Sequence, residues 1–301
     1  MEAKEEIISE FFSAHNIGTS EHFIEDHDGV YWLATIKLSI DEDLRTRGAQ
    51  LLEEEEPTWA ITRSMLDRVY EQLAGGFICL FTGAWASVEV VCRATLEAAI
   101  NVLFVLESDT AKRLSQYMTH YFEESLKSID RYEGLVTKMA GQNNAQLKSA
   151  VDARNSIAWR RKIIEGIFQH EHIPCGLQGW PKTIMERFKA AGREFEYREI
   201  YANLSSQVHN DADALVDFMI LTVAEHIPNA SEKVESEVLF WLRHFLYCSL
   251  EFYSEAAKVY TSKYGLENGA VKINQARLSI GDRLKQLSKE YSQLKGELSN
   301  S

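Results

Sequence analysis

The stretch "GFICLFTGAWASVEVVCRATLEAAINVLFVL", Gly76 to Leu106, decides the fold. Phe77, Phe81, Trp85, Val88, Cys92, Leu96, Ala99, Leu103 and Leu106 recur at spacings of three and four, which draws one continuous apolar stripe along a helix. The other faces are also largely apolar, so this helix is expected near 76–107 at the centre of a bundle. Glu89, Arg93 and Glu97 interrupt the run, which suits a core helix and argues against a membrane span. The Gly75-Gly76 pair is expected to kink or break the preceding helix, which begins at Trp59.

Working outward, the chain reads as all-α: a multi-helix bundle with long C-terminal helices. Only four prolines occur, and Pro57, Pro174 and Pro181 coincide with natural breaks. Helices are expected over 2–15, 110–139, 145–170, 182–191, 194–209, 211–226 and 232–264. "VYWLATIKLSI", from Val30, has strand-like β-branched and aromatic content, yet the polar stretch after it continues as a helix. Near the C-terminus, Ile280, Leu284, Leu287, Tyr291, Leu294 and Leu298 form a short heptad seam that either packs on the bundle or pairs with a second copy. The organisation reads as an N-terminal segment 1–57, a core bundle 58–226 and a C-terminal pair of long helices 227–301.

With 301 residues, 45% of them hydrophobic and 11% aromatic, the chain can bury a large core. A formal charge of −13 argues against coating nucleic acid or an anionic membrane by net attraction. Local basic patches remain: "WRRK", Trp159 to Lys162, and the series Lys182, Arg187, Lys189, Arg193. Cys79, Cys92, Cys175 and Cys248 are far apart in apolar surroundings, so buried free thiols in a reducing cytoplasm are expected. The acidic start "MEAKEEIISEFF" is not that of a signal peptide.

Two polar stripes carry the candidate chemistry. On the core helix, Glu89, Arg93, Glu97 and Asn101 are spaced by four, so neighbours can touch. In "YREIYANLSSQVHND", Tyr197 to Asp211, the residues Tyr201, Ser205 and His209 also recur every fourth position. There Tyr197, Ile200, Tyr201, Leu204 and Val208 define the buried face, with Ser205 and His209 at its boundary. His209 is the best candidate for proton transfer. No GxSxG, HExxH, P-loop or GxGxxG is present, which removes the common serine-hydrolase, zincin and nucleotide-binding readings. No histidine follows a glutamate by three, as a carboxylate di-iron bundle requires. Asp211 and Asp213 read as a helix end and a new cap, and "HEH" at 170–172 is a poor metal site. No cofactor, metal or membrane partner is expected.

"CRATLEAAINVLFVL" (Cys92–Leu106) together with "WPKTIMERFKAAGREFEYREIYANLSSQVHND" (Trp180–Asp211) resembles a large family of uncharacterised bacterial helical proteins. Its pattern is Arg-x-x-x-Glu on a core helix and Tyr-x-x-x-Ser-x-x-x-His downstream; Arg93 and Glu97, then Tyr201, Ser205 and His209 match here. The likeness covers Trp59 to Asp217 and implies a site location without a reaction. The segment "RLSQYMTH", Arg113 to His120, is similar to the Arg-x(4–6)-His motif of the HEPN superfamily, although Leu114 stands where a polar residue is usual. That resemblance implies a dimeric, metal-independent ribonuclease of a bacterial defence or stress system. The same chemistry can be composed from Arg93 and His209, with Glu97 orienting the arginine and Tyr201 and Ser205 positioning RNA brought in by a local basic patch. The competing reading is a non-catalytic helical module for protein partners, in which these side chains form a structural network.

Overall fold

A computed structural model of the chain describes residues 2–15, 23–53, 58–139, 144–202, 204 and 230–299. All the regular structure among them is helical. The helices are α1 (Glu2–Ala14), α2 (His27–Glu53), α3 (Thr58–Phe81), α4 (Trp85–Leu106), α5 (Thr110–Met139), α6 (Asn144–His170) and α7 (Ile184–Ala190). A short helical turn at Glu194–Glu196 leads into a π-helical turn, Tyr197–Tyr201. The long helices α8 (Ala230–Lys263) and α9 (Glu267–Ser299) follow.

The apolar stripe of α4 explains its central place. Val88, Cys92, Leu96 and Ala99 are fully buried, and α4 packs against α3, α8, α5 and α7. α8 also packs on α3 and on α9, which returns along α2. One apolar core runs from Phe11 and Phe12 of α1 to Leu287 of α9. The C-terminal seam belongs to it: Ile280 and Leu287 are buried, Leu284 and Tyr291 lie against the core, and Tyr291 stacks on Phe240 with ring centroids 4.3 Å apart.

Two local expectations are corrected. The Gly75-Gly76 pair does not break the helix, because α3 continues to Phe81. A Cβ on Gly76 would come within 2.8 Å of Leu246 Cδ2, so this glycine lets α8 approach closely. The break falls at Gly83, whose φ of +75° is the left-handed backbone that disfavours side chains. The stretch after Val30, which its residue types leave open between strand and helix, is helical. Val30, Leu33, Ile36 and Ile40 share one fully buried face, and that burial overrides the β preference of branched residues. Nor are all four thiols buried: Cys92 and Cys248 are, Cys79 is half-buried and Cys175 is exposed.

Caps fix the shorter pieces. Lys112 N–H donates to Asp109 Oδ1 at 3.0 Å where α5 begins. Thr183 and Glu186 form a reciprocal capping box for α7. α5 and α6 make a hairpin joined to the rest by a second apolar cluster of Phe104, Val105, Leu114, Phe168, Ile173 and Trp180. Further along the hairpin Arg154 spans Asp130 and Glu133, 2.7 Å from each.

A charged group lies beneath the start of α2. Asp26 is fully buried, accepts from Arg243 Nε at 2.9 Å, and its carboxyl is pushed up to about 6 by burial, against the opposing pull of Arg243. The folded chain therefore holds this proton more tightly than the unfolded one, whose carboxyl has the ordinary value of 3.8. The resulting stabilisation is fully present below pH 3.8 and is lost as pH rises through about 6. It amounts to up to about 3 kcal/mol. Urea-unfolding midpoints between these pH values should shift accordingly in the wild type, and Asp26→Asn should flatten that part of the profile.

Candidate functional site

The polar stripe of α4 is half-buried along its length, at Glu89, Arg93, Glu97 and Asn101. Facing it are α7 and the π turn. Arg93 Nε donates to Glu97 Oε1 at 3.3 Å, one helical turn away. The Tyr201 hydroxyl donates to the same oxygen at 2.5 Å, from 104 residues further along the chain. The Arg93 guanidinium also lies 5.5 Å from the centre of the Tyr201 ring. Tyr201 thus meets Arg93 and Glu97 at one carboxylate.

Their exposure differs in a useful way. Tyr201 is 4% exposed, whereas the side chains of Arg93 and Glu97 are 26% and 40% exposed. The tyrosine is clamped by apolar rings: it stacks on Tyr197 at 5.4 Å and packs against Phe188 at 5.7 Å. Burial and the acceptor Glu97 push its phenol up to about 12, with Arg93 opposing. It therefore remains a hydrogen-bond donor at any ordinary working pH. Arg93 is held above the usual arginine value, first by its hydrogen bond with Tyr201. The result is a fixed donor, a carboxylate and a cation, the last two open to solvent.

A second arginine, one of the basic series Lys182, Arg187, Lys189 and Arg193, extends the cluster. Arg187 of α7 donates from Nη1 to Asn101 Oδ1 at 2.6 Å and lies 5.7 Å from the Trp180 ring. Burial lowers its pKa, and Glu97 pulls in the opposite direction. The series does not form the exposed patch its composition suggested. Arg193 is tied to Glu196 and Glu255 and covers Phe252, leaving Lys182 and Lys189 exposed. The signal for Arg187 was its place one turn into a capped amphipathic helix. Its partner Asn101 could not be read from spacing.

Arg113 is placed away from this cluster. It donates to the Phe104 carbonyl and covers the Phe104 ring at 4.0 Å, closing the C-terminus of α4. His120 instead lines a cavity of about 450 Å³ with Gln116, Glu123, Lys127, Trp180 and Lys182. The "HEH" residues are no cluster either, since His170 is 83% exposed and, among the described residues, is paired with Glu171 alone. Among the described residues no three His, Cys, Asp or Glu side chains converge as a metal site. No helix among them is long and apolar enough to cross a membrane. Ser205, Val208, His209, Asp211 and Asp213 lie outside the described residues.

With this geometry in hand, comparison with known proteins gives a family and no activity. A family of unknown function, DUF5677, matches residues 60–226, more than half of the chain, and the chain belongs to it. The match takes in α4, α7 and the π turn, which carry Glu97, Arg187 and Tyr201. No curated protein and no solved structure matches.

Proposed function

We propose that this member of DUF5677 is a metal-independent ribonuclease whose phosphate-facing group is Arg93, held in place by Glu97 and Tyr201. The observation that carries the reading is the shared carboxylate. Glu97 accepts from a buried tyrosine on one side and holds a solvent-accessible arginine on the other. A cation fixed in advance at the edge of a low-dielectric wall stabilises negative charge as it develops. In the reaction, His209 takes the proton of the 2′-hydroxyl and the 2′-oxygen attacks phosphorus. The bond to the 5′-oxygen breaks, and that oxygen leaves with the proton returned by the histidine. Arg93 offsets the charge of the phosphorane, Glu97 aims Arg93, the buried Tyr201 holds Glu97 in place, and Ser205 positions the strand. The acidic chain can take an anionic substrate because Arg93 is partly exposed and Arg187, on the neighbouring α7, adds a second positive charge near Glu97.

The test is cleavage of a mixed RNA by wild type and His209→Ala, with chelator present throughout. Removal of the general acid/base should slow cleavage by about 10²–10⁴-fold in a variant that remains folded. Equal rates in the two proteins would sink the assignment. A second reading has its own observation, the near-complete burial of Tyr201, which suits an interhelical network in a non-catalytic interaction module. In that case Tyr201→Phe lowers stability and no RNA is cut by either protein.

A further inference from the structure

The α5–α6 hairpin differs from the rest of the molecule in charge and in surface. Residues 110–170 carry ten Lys and Arg against six Asp and Glu, whereas the remainder carries 22 against 39. The acidic balance of the chain therefore belongs to the body, and the hairpin is basic. Seven of the fourteen most exposed large hydrophobic side chains among the described residues also lie on it. Such a concentration is unusual for a surface that faces only water.

These features coincide at Trp159. Its side chain is 63% exposed and borders an apolar groove of about 260 Å³ with Met118, Tyr121, Phe122, Arg160 and Ile163. Arg160 and Lys162 make no ion pair among the described residues, in contrast to Arg161, which is held by Glu165 at 2.7 Å. Two free cations thus flank an exposed indole, with the half-exposed Tyr121 across the groove. Beyond them, Arg131 adds a further exposed cation, which makes no ion pair within 4 Å among the described residues and lies near enough to Glu124 to be attracted by it.

We infer that this face of the hairpin grips single-stranded RNA, with bases stacked on Trp159 and Tyr121 and phosphates held by Arg160 and Lys162. Flat aromatic faces next to unpaired cations are what a flexible nucleic-acid strand needs, because every base has a stacking face and every linkage a charge. The acidic body does not cancel the attraction. Trp159 is nine residues from the hairpin base at Phe168, roughly 13 Å along the helix axis. That exceeds the screening length of about 8 Å at physiological salt. The inference takes its ligand class from the proposed ribonuclease, and it assigns capture of the strand to a surface separate from the Arg93–Glu97–Tyr201 cluster.

The experiment uses a fluorescein-labelled 2′-O-methyl oligouridine, which binds as RNA does but lacks the attacking hydroxyl. Anisotropy is followed across a salt series. Wild type should bind, and Trp159→Ala should weaken binding by about tenfold or more. The pair Arg160→Ala and Lys162→Ala should flatten the log-affinity against log-salt slope by about 1.4. Circular dichroism checks that the variants are folded, as expected for substitutions at exposed positions. Absence of binding by wild type, or unchanged affinity and slope in the variants, overturns the inference. So does concentration-dependent sedimentation that Trp159→Ala abolishes while leaving binding intact, because the face would then belong to a second copy. The two proposals fail separately. Arm-dependent binding with no cleavage of natural RNA removes the ribonuclease alone. Cleavage by Trp159→Ala with an unchanged KM removes the arm alone.

Discussion

Arg93→Ala should slow RNA cleavage by about 10²–10³-fold, the usual loss when one fixed donor to a developing oxyanion is removed. The fold should survive, since the side chain is a quarter exposed and its ion pair spans a single helical turn. Glu97 keeps the Tyr201 hydroxyl in the variant, so the carboxylate does not become an orphan. Arg93→Lys tests what the guanidinium contributes beyond charge. Lysine can restore a point charge but not the planar fork that binds two phosphate oxygens, so recovery should stop about tenfold short of wild type. Single-turnover rates with chelator present separate this from weaker binding: the loss should fall on kcat with KM nearly unchanged. Wild-type rates in Arg93→Ala would hand the cluster to the structural reading.

Which parts of this arrangement are legible in the sequence follows from how local their causes are. The stripe of α4 reads correctly because its apolar period reports burial directly, and the same holds for α8 and the seam on α9. Gly76 misleads because its role depends on Leu246, 170 residues away. Composition alone calls a glycine pair a breaker; packing makes Gly76 a point of close approach. Val30 to Ile40 stays ambiguous in the sequence for a related reason, since β preference there opposes the burial of four side chains on one helical face. At the site, the fourfold spacing on α4 and the period of the Tyr197–Leu204 face identify Glu97 and Tyr201 as polar groups at a buried edge. That they share one hydrogen bond needs the fold. The π-helical turn at Tyr197–Tyr201 has no signature in the sequence. Arg187 and Asn101 carry no common pattern, so their pairing also appears only in three dimensions.

Phe188→Ala should cost about 3–5 kcal/mol of stability, the largest effect expected of any single truncation near the site. Its ring is fully buried and packs on Tyr197, Tyr201 and Phe252, with centroids 5.6–5.7 Å away. α7 is only seven residues long and cannot hold itself; its capping box closes one end, and Phe188 is its only fully buried side chain. Truncation leaves a cavity under the two stacked tyrosines. Tyr201 can then move off Glu97, while Arg93 and Glu97 remain on α4. Stability and chemistry should therefore fall together in Phe188→Ala, and Phe188→Leu, which fills most of the volume, should recover the larger part of both. Tyr201→Phe supplies the control: it removes the hydroxyl and keeps the ring. Because Phe188 and Tyr201 touch, the double variant should lose less than the sum of the singles, by about 0.5–3 kcal/mol in urea unfolding. A sum within error of additivity, or a loss below about 1 kcal/mol for Phe188→Ala alone, would mean that α7 does not hold Tyr201 in place. The link from core packing to the Glu97 carboxylate would then be broken.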